Sequence, residues 1–305
     1  MTDNSAFWDF YWEMRLQSLQ NLGKKEAVLA ASKLIRKIGQ SQGPVRLLEL
    51  GCGEGQIIGV LVDGHAQMPS ISASVGIDYV AESVEKCRRT YPGMKFVLGD
   101  FTDPALLESL GQFELVILVN ALHEVYSATF SDSLGEVDVP AAKKRAFKAF
   151  AGAVERVVPG GYLLLFDGLE PPGDPRDKVR IHFLTPQALE HFQTFAREYR
   201  PFKISARPLG SPYRVELSRR DFTRYITKSI FLGKGLWQTE RLESYQYYNQ
   251  DEFRTAFTQN GLEIREIRTL TVDEEKWRRA VRIESPHVRF PEEHILIIGQ
   301  KLPQA

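Results

Sequence analysis

The chain has 305 residues, 43% hydrophobic and 26% charged, a composition that specifies a globular protein rather than a disordered one. Lys plus Arg and Asp plus Glu both number 39, so the formal charge is zero and nothing in the balance favours a nucleic-acid partner. No apolar run approaches the roughly 20 residues that span a bilayer, and two cysteines, Cys52 and Cys87, are too few for a disulfide scaffold or a cysteine-built zinc site. The polar start, MTDNS, does not read as a signal peptide, so a reducing cytoplasm is the expected location.

The first 40 residues read as two helices. FWDFYWEMRLQSLQN is aromatic on several faces and needs cover on each of them. After Gly23, Val28, Ala31, Leu34, Ile35 and Ile38 recur at helical spacing, and GQSQGP stops the pattern before a strand from Val45 to Leu50. That strand runs into RLLELGCGEGQ, where Gly51, Gly53 and Gly55 alternate with other residues and acids flank the loop. Strands follow at SVGIDY (74–79), KFVLGD (95–100), FELVILVNAL (113–122) and YLLLFD (162–167). Helices are predicted around Ala81 to Thr90 and from Ala141 to Val158, the second stopped by PGG at 159–161. Near-continuous apolar runs such as 115–119 suit strands covered on both faces of a parallel sheet.

From LEPPGDP (169–175) up to Tyr248 the pattern gives helices and no clear strand. Thr185 before Pro186, Ser218 with Asp221, and Asn249 with Glu252 are helix starts, while Gly233 and Asn260-Gly261 are stops. Strands at 262–271 and 293–300 close the chain. The expected architecture is α/β: a doubly wound, seven-stranded Rossmann-like sheet with its last strand antiparallel, N-terminal helices, and a helical insertion between strands 5 and 6. The expected units are an N-terminal helical lid (1–42), a core (43–168 and 249–305) and the insertion (169–248) covering the acceptor site.

A glycine loop after the first strand of such a sheet sits at the switch point where ligands bind. A dinucleotide wants G-x-G-x-x-G, but position 56 is Gln56, and Glu49 and Glu54 would repel a pyrophosphate. S-adenosylmethionine lacks phosphate and carries a sulfonium and an ammonium, so the same acids attract it. Asp78, at the end of the second strand, is placed for ribose hydroxyls; Asp100 and Phe101 could supply an acceptor and an apolar wall for adenine.

LLELGCGEG, VGIDY, VLGDF, LVNALHEV and VVPGGYLLL, in this order, resemble the successive motifs of class I, Rossmann-like S-adenosylmethionine-dependent methyltransferases, over residues 25–168 and more loosely 249–301. The resemblance implies that Glu49, Gly51, Cys52 and Gly53 line the methionine end of the cofactor, with Cys52 as a small loop residue. It further implies Asp78 at the ribose, Tyr79, Asp100 and Phe101 at the adenine, and Asn120 near the sulfonium. Tyr79 and Phe101 fit core packing equally well. N-terminal helices in this family lie over the cofactor, which would bring Tyr11 and Arg15 to its carboxylate; docking on the insertion or on a second subunit is the other reading.

Methyl transfer needs positioning of the acceptor, and a base only where the acceptor must lose a proton. His123, Glu124 and Tyr126 are the catalytic candidates, His123 by its intrinsic pKa, although it could simply pin the strand–helix junction. The aromatic-rich insertion predicts a small-molecule acceptor of aromatic or partly apolar character, with no nucleic acid or membrane partner. His182 and His191 lack metal spacing, and no metal is expected. Arg214, Arg219, Arg220, Arg224 and Lys228 read as a solvated helix face or as binders of an acidic group. Aminopropyl transfer from decarboxylated S-adenosylmethionine and a non-catalytic cofactor-binding protein remain the alternatives.

Overall fold

The computed structural model describes residues 22–65, 71–174, 176–271 and 274–303. The first predicted helix, with Tyr11 and Arg15, lies outside the described residues.

A helix, α1 (Leu22–Gln42), leads into β1 (Val45–Leu50), α2 (Gln56–Gly64), β2 (Ile71–Asp78), α3 (Ala81–Thr90), β3 (Lys95–Leu98), α4 (Pro104–Ser109) and β4 (Phe113–Val119). Next come α5 (Leu122–Ser127), a small hairpin of β5 (Phe130–Ser131) and β6 (Glu136–Val137), α6 (Val139–Glu155) and β7 (Val157–Gly168). The strands β1, β2, β3, β4 and β7 are parallel and the chain closes with β11 (Leu262–Leu270) and β13 (His294–Lys301), β13 antiparallel to both its neighbours. The seven-stranded order is β11-β13-β7-β4-β1-β2-β3, so the chain reverses direction across the sheet between β1 and β4, as the doubly wound expectation requires.

Alternation along the central strands explains the two covered faces. Leu47, Leu115, Ile117 and Leu164 point into one apolar core with α1, α2 and α3; Leu48, Val116, Leu118 and Leu165 point into the other with α4, α5 and α6. Residues 22–42 of the expected lid are thus a core helix, with Val28, Ala31, Ile35 and Ile38 buried against the sheet. The helix expected to end at Val158 stops at Glu155, and PGG lies inside β7 rather than before it. There Phe113 pairs with Val157 but Leu115 with Tyr162, so the intervening residues bulge out, with Gly160 at φ 81°.

The insertion was expected to be helical, and the structure corrects this. It holds β8 (Lys178–Phe183), α7 (Pro186–Glu198), β9 (Ala206–Pro208), β10 (Arg214–Ser218), α8 (Arg219–Lys228), a 3-10 turn at Ser229–Phe231 and α9 (Trp237–Glu240). Then α10 (Gln250–Gln259) rejoins the core, begun by a full capping box between Asn249 and Glu252. Between the last two core strands, α11 (Glu274–Ala280) and β12 (Val281–Ile283) return to the insertion, where β12 completes a four-stranded antiparallel sheet, β12-β8-β10-β9. The basic residues correct a second expectation. Arg214 is on β10, and Arg224 and Lys228 are buried rather than solvated.

Candidate active site

The sheet register sets the site. Leu50 pairs with Ile77 on one side and Leu118 on the other, so the residues that follow β1, β2 and β4 emerge together. Gly51, Gly53 and Gly55 all have positive φ (73°, 51° and 74°), a turn that side chains with a Cβ adopt only under strain. At Gly51 a Cβ would stand 2.8 Å from the Ala121 Cβ, so the loop touches the β4–α5 junction. The amides of Gly51 and Cys52 both donate to the Ile77 carbonyl at 2.9 Å. Gly53 has open space where its Cβ would be.

Asp78 is tied into this loop. One carboxylate oxygen accepts from the Gly53 amide at 2.8 Å and the other from Val80 at 2.9 Å, leaving each oxygen a second lone pair. Glu49 is buried and accepts from the Ile58 amide at 3.0 Å, linking β1 to the first turn of α2; burial pushes its carboxyl up to about 8. Cys52 is buried and its thiol is pushed up by burial, which keeps it protonated and unreactive.

The aromatic pair splits. Tyr79 is 62% exposed beside the loop, whereas Phe101 is packed in the core under Gly51. Asp100 is exposed and accepts from the Thr102 amide at 2.8 Å. Asn120 has φ 53°, rare for a residue with a side chain, and its Oδ1 is buried without a hydrogen-bond partner. Strain and an orphaned acceptor at one position, next in sequence to the Ala121 that the glycine loop touches, are marks of a ligand site.

The structure places His123 inside a buried chain of charges. Its Nδ1 is 2.7 Å from one oxygen of Asp167, at the end of β7. The other Asp167 oxygen accepts from the Leu122 and His123 amides at 3.1 and 3.2 Å, capping α5, and from the Tyr247 hydroxyl at 3.2 Å. His123 Nε2 lies 3.7 Å from Glu243, and Glu243 lies 3.2 Å from the Lys228 ammonium. Lys228 also binds Glu240 at 2.5 Å and sits 3.7 Å above the Tyr245 ring, itself 4.1 Å from the His123 ring. Burial alone would lower the His123 pKa, but Asp167 and Glu243 outweigh it and hold the imidazolium up to about 10. Burial would likewise raise Glu243, yet His123 and Lys228 bring it down to about 2.

A cavity of about 380 Å³ opens beside this chain, lined among others by Tyr79, Glu124, Phe130, Arg200, Leu242 and Glu243. Burial pushes the Glu124 carboxyl up to about 7. Tyr126, in contrast, is buried in the core against Tyr247 and does not line the cavity, which removes it from contact with an acceptor there. Asp167, Arg200 and Glu243 were absent from the sequence-derived site, and Lys228 was read there only as a solvated residue or a binder of an acidic group. Asp167 closes an apolar run as Asp78 does, which is a legible signal; Glu243 carries none.

Among the described residues no cluster of His, Cys, Asp or Glu could hold a metal ion, and no helix is long and apolar enough to cross a membrane. Residues 42–148 match a family described as a methyltransferase domain. The chain is similar to part of the non-reducing polyketide synthase tazA of Aspergillus terreus, 32% identical over 103 residues, 33% of this chain and 4% of that protein. It is similar also to part of the non-reducing polyketide synthase pigA of Monascus ruber, 27% identical over 119 residues, 38% of this chain and 4% of that protein. The chain therefore spans only a small fraction of these relatives. Its fold is similar to that of the CurJ carbon methyltransferase, with a TM-score of 0.50 at 13% identity, covering 95% of this chain and 57% of that one.

Proposed function

We propose that this chain, a class I S-adenosylmethionine-dependent methyltransferase, methylates a small organic acceptor held in the cavity beside Tyr79, Glu124 and Glu243, mainly by positioning it. The observation that carries this reading is the convergence of the glycine loop, Asp78 and the orphaned Asn120 Oδ1 at the sheet's switch point. When bound, S-adenosylmethionine supplies an electrophilic methyl group on a sulfonium. Asp78 keeps its free lone pairs for the ribose hydroxyls, and the open space at Gly53 admits the cofactor close to backbone. The exposed Tyr79 ring and the Asp100 carboxylate suit the adenine, while Glu49, Gly51 and Asn120 define the methionine end. Phe101 acts as packing under the loop.

His123 is the imidazolium of a buried chain at neutral pH, so it has no lone pair to accept a proton. Its role in this reading is to cap α5 with Asp167 and to orient Glu243. Where an acceptor must lose a proton, Glu124 is the cavity carboxylate whose pKa of about 7 suits the exchange. The likeness to parts of two polyketide synthases supports a small organic acceptor. The two free, buried cysteines fit a cytoplasmic protein.

Aminopropyl transfer from decarboxylated S-adenosylmethionine is the second reading, favoured by one observation. Glu243 reaches the cavity from the insertion and adds a second carboxylate to Glu124. Calorimetry with S-adenosylmethionine, its decarboxylated form and NAD separates the readings. Micromolar affinity for S-adenosylmethionine, roughly −8 kcal/mol, is expected, with weaker binding of the decarboxylated form and none of NAD. Tight NAD binding without response to S-adenosylmethionine overturns the assignment.

A further inference from the structure

The walls of the cavity of about 380 Å³ differ in kind. Phe130 and Leu242 are apolar, Leu242 51% exposed, and suit a flat or aliphatic body. The polar wall is acidic. Glu124 and Glu243 both line it, and Arg200, itself exposed, is the only cation on the lining among the described residues.

The two acids are not equivalent. Glu243 is held between His123 at 3.7 Å and Lys228 at 3.2 Å, which keeps it ionised. Glu124 is half-buried, and its carboxyl makes no hydrogen bond or ion pair among the described residues. It is the acid of the cavity left open to a ligand. Burial pushes it up to about 7; the charge of His123 opposes the rise, while those of Glu243, Asp78 and Asp167 add to it. Tyr79, on the same lining, stands in the same field. Burial and the charges of Glu124, Glu243, Asp78 and Asp100 all push its hydroxyl up, and no cation offsets them.

The sign of this field selects the nucleophile. A phenolate, enolate or carboxylate acceptor would set another anion against Glu124 and Glu243, with neither lysine nor histidine on the lining to receive it. An ammonium meets the reverse situation, because an open carboxylate accepts its N–H groups and its positive charge outlasts the reaction.

Resting on methyl transfer at this cleft, we propose that the acceptor is an amine on an apolar body, bound as its ammonium, with Glu124 selecting it and taking its proton. The Glu124 carboxylate accepts one N–H proton and the freed nitrogen lone pair forms the new N–C bond to the methyl. The C–S bond breaks with its electron pair left on sulfur. The product is a methylated ammonium, so the positive charge lost at the sulfonium reappears on nitrogen within the same acidic field.

The test titrates 2-phenylethylamine, 2-phenylethanol and 3-phenylpropionate by calorimetry into the whole chain saturated with S-adenosylhomocysteine. At pH 8 the amine should bind saturably, about tenfold tighter than the alcohol, and the carboxylate should not bind. Glu124→Gln keeps the shape and removes the charge. It should weaken the amine about tenfold while the alcohol and S-adenosylhomocysteine bind as in the wild type, which also shows that the variant is folded. Between pH 6 and 8 His123, held up to about 10, and Glu243, down at about 2, keep their charges, and the amine stays protonated as a lysine does. Glu124 ionises in that window, so amine affinity should rise with pH in the wild type and stay level in Glu124→Gln. Failure of S-adenosylhomocysteine to bind would remove the methyl-transfer reading and the amine with it. If S-adenosylhomocysteine binds, a preference for the alcohol or the carboxylate, no amine binding, or a pH rise that persists in Glu124→Gln overturns the amine assignment alone.

Discussion

In the proposed site, Asp78 has to serve loop and ligand together. It already accepts the Gly53 and Val80 amides, so Asp78→Ala should weaken S-adenosylmethionine by roughly 1.5–3 kcal/mol and also cost about 1 kcal/mol of stability. Calorimetry and thermal melts read the two effects separately; full cofactor affinity in the variant would remove Asp78 from the site. His123 makes the sharper case. Its folded pKa of about 10 stands above the ordinary 6.5, so its stabilisation is complete below about pH 6.5 and fades as pH rises toward 10. His123→Asn should cost about 3–5 kcal/mol near pH 6, the scale of a broken buried ion pair, and the gap to wild type should shrink by pH 10. A gap that stays constant over that range would mean the ring is neutral in the fold. His123→Asn should leave the pH dependence of turnover near 6.5 unchanged, since no imidazole lone pair is consumed there and a loss on acidification belongs to Glu124, pushed up to about 7. The placement of the loop glycines, Asp78 and Asp100 was readable because the turn and its amide bonds are local to strand ends. Whether Tyr79 faced solvent and Phe101 the core was not, because both follow an acid at a strand end and only the packing beneath Gly51 tells them apart.

Elements differ in how much of their tertiary surroundings they write into their own sequence. The central strands are apolar on both faces and the capped helices carry their start signals, so β1, β4 and α10 were legible. KVRIHF alternates strictly and its burial follows suit, Val179, Ile181 and Phe183 inward, so β8 was legible too and was obscured by the neighbouring helical caps. The three-residue strands β9 and β12 were not, since each exists only through its partner. The end of β7 is a tight junction between core and insertion: a Cβ at Gly168 would stand 2.2 Å from the Tyr245 carbonyl oxygen. Gly168→Ala must displace backbone there, and it should destabilise by about 1–3 kcal/mol. Because the Tyr245 ring packs at a tilt against His123 and lies under the Lys228 ammonium, the variant should lose turnover more than cofactor affinity. Equal loss of both would place the strain on the glycine loop instead.

At the scale of the whole molecule, the insertion is joined to the sheet by an apolar core and by charges that alternate from Asp167 through His123, Glu243 and Lys228 to Glu240. Lys228 is fully buried, from a helix of the insertion, and it neutralises two carboxylates of the following segment. Nothing in its own neighbourhood of sequence announces this; a lysine at the end of a charged helix reads as solvated until its partners fold over it. Lys228→Met fills the space but leaves Glu240 without its cation and Glu243 with His123 alone, which should cost about 3–5 kcal/mol. The loss should not be shared evenly. Amide hydrogen exchange in β8 and β10 should match that of β4 in the wild type, and in Lys228→Met the insertion strands should exchange faster while β4 keeps its protection. Turnover should fall with the insertion, because Glu243 is held by it, whereas S-adenosylmethionine affinity, assigned in the proposed function to the glycine loop and Asp78, should survive. Uniform loss of protection across all three strands would show that the charge chain supports the entire fold and does not tie the insertion to the catalytic cleft.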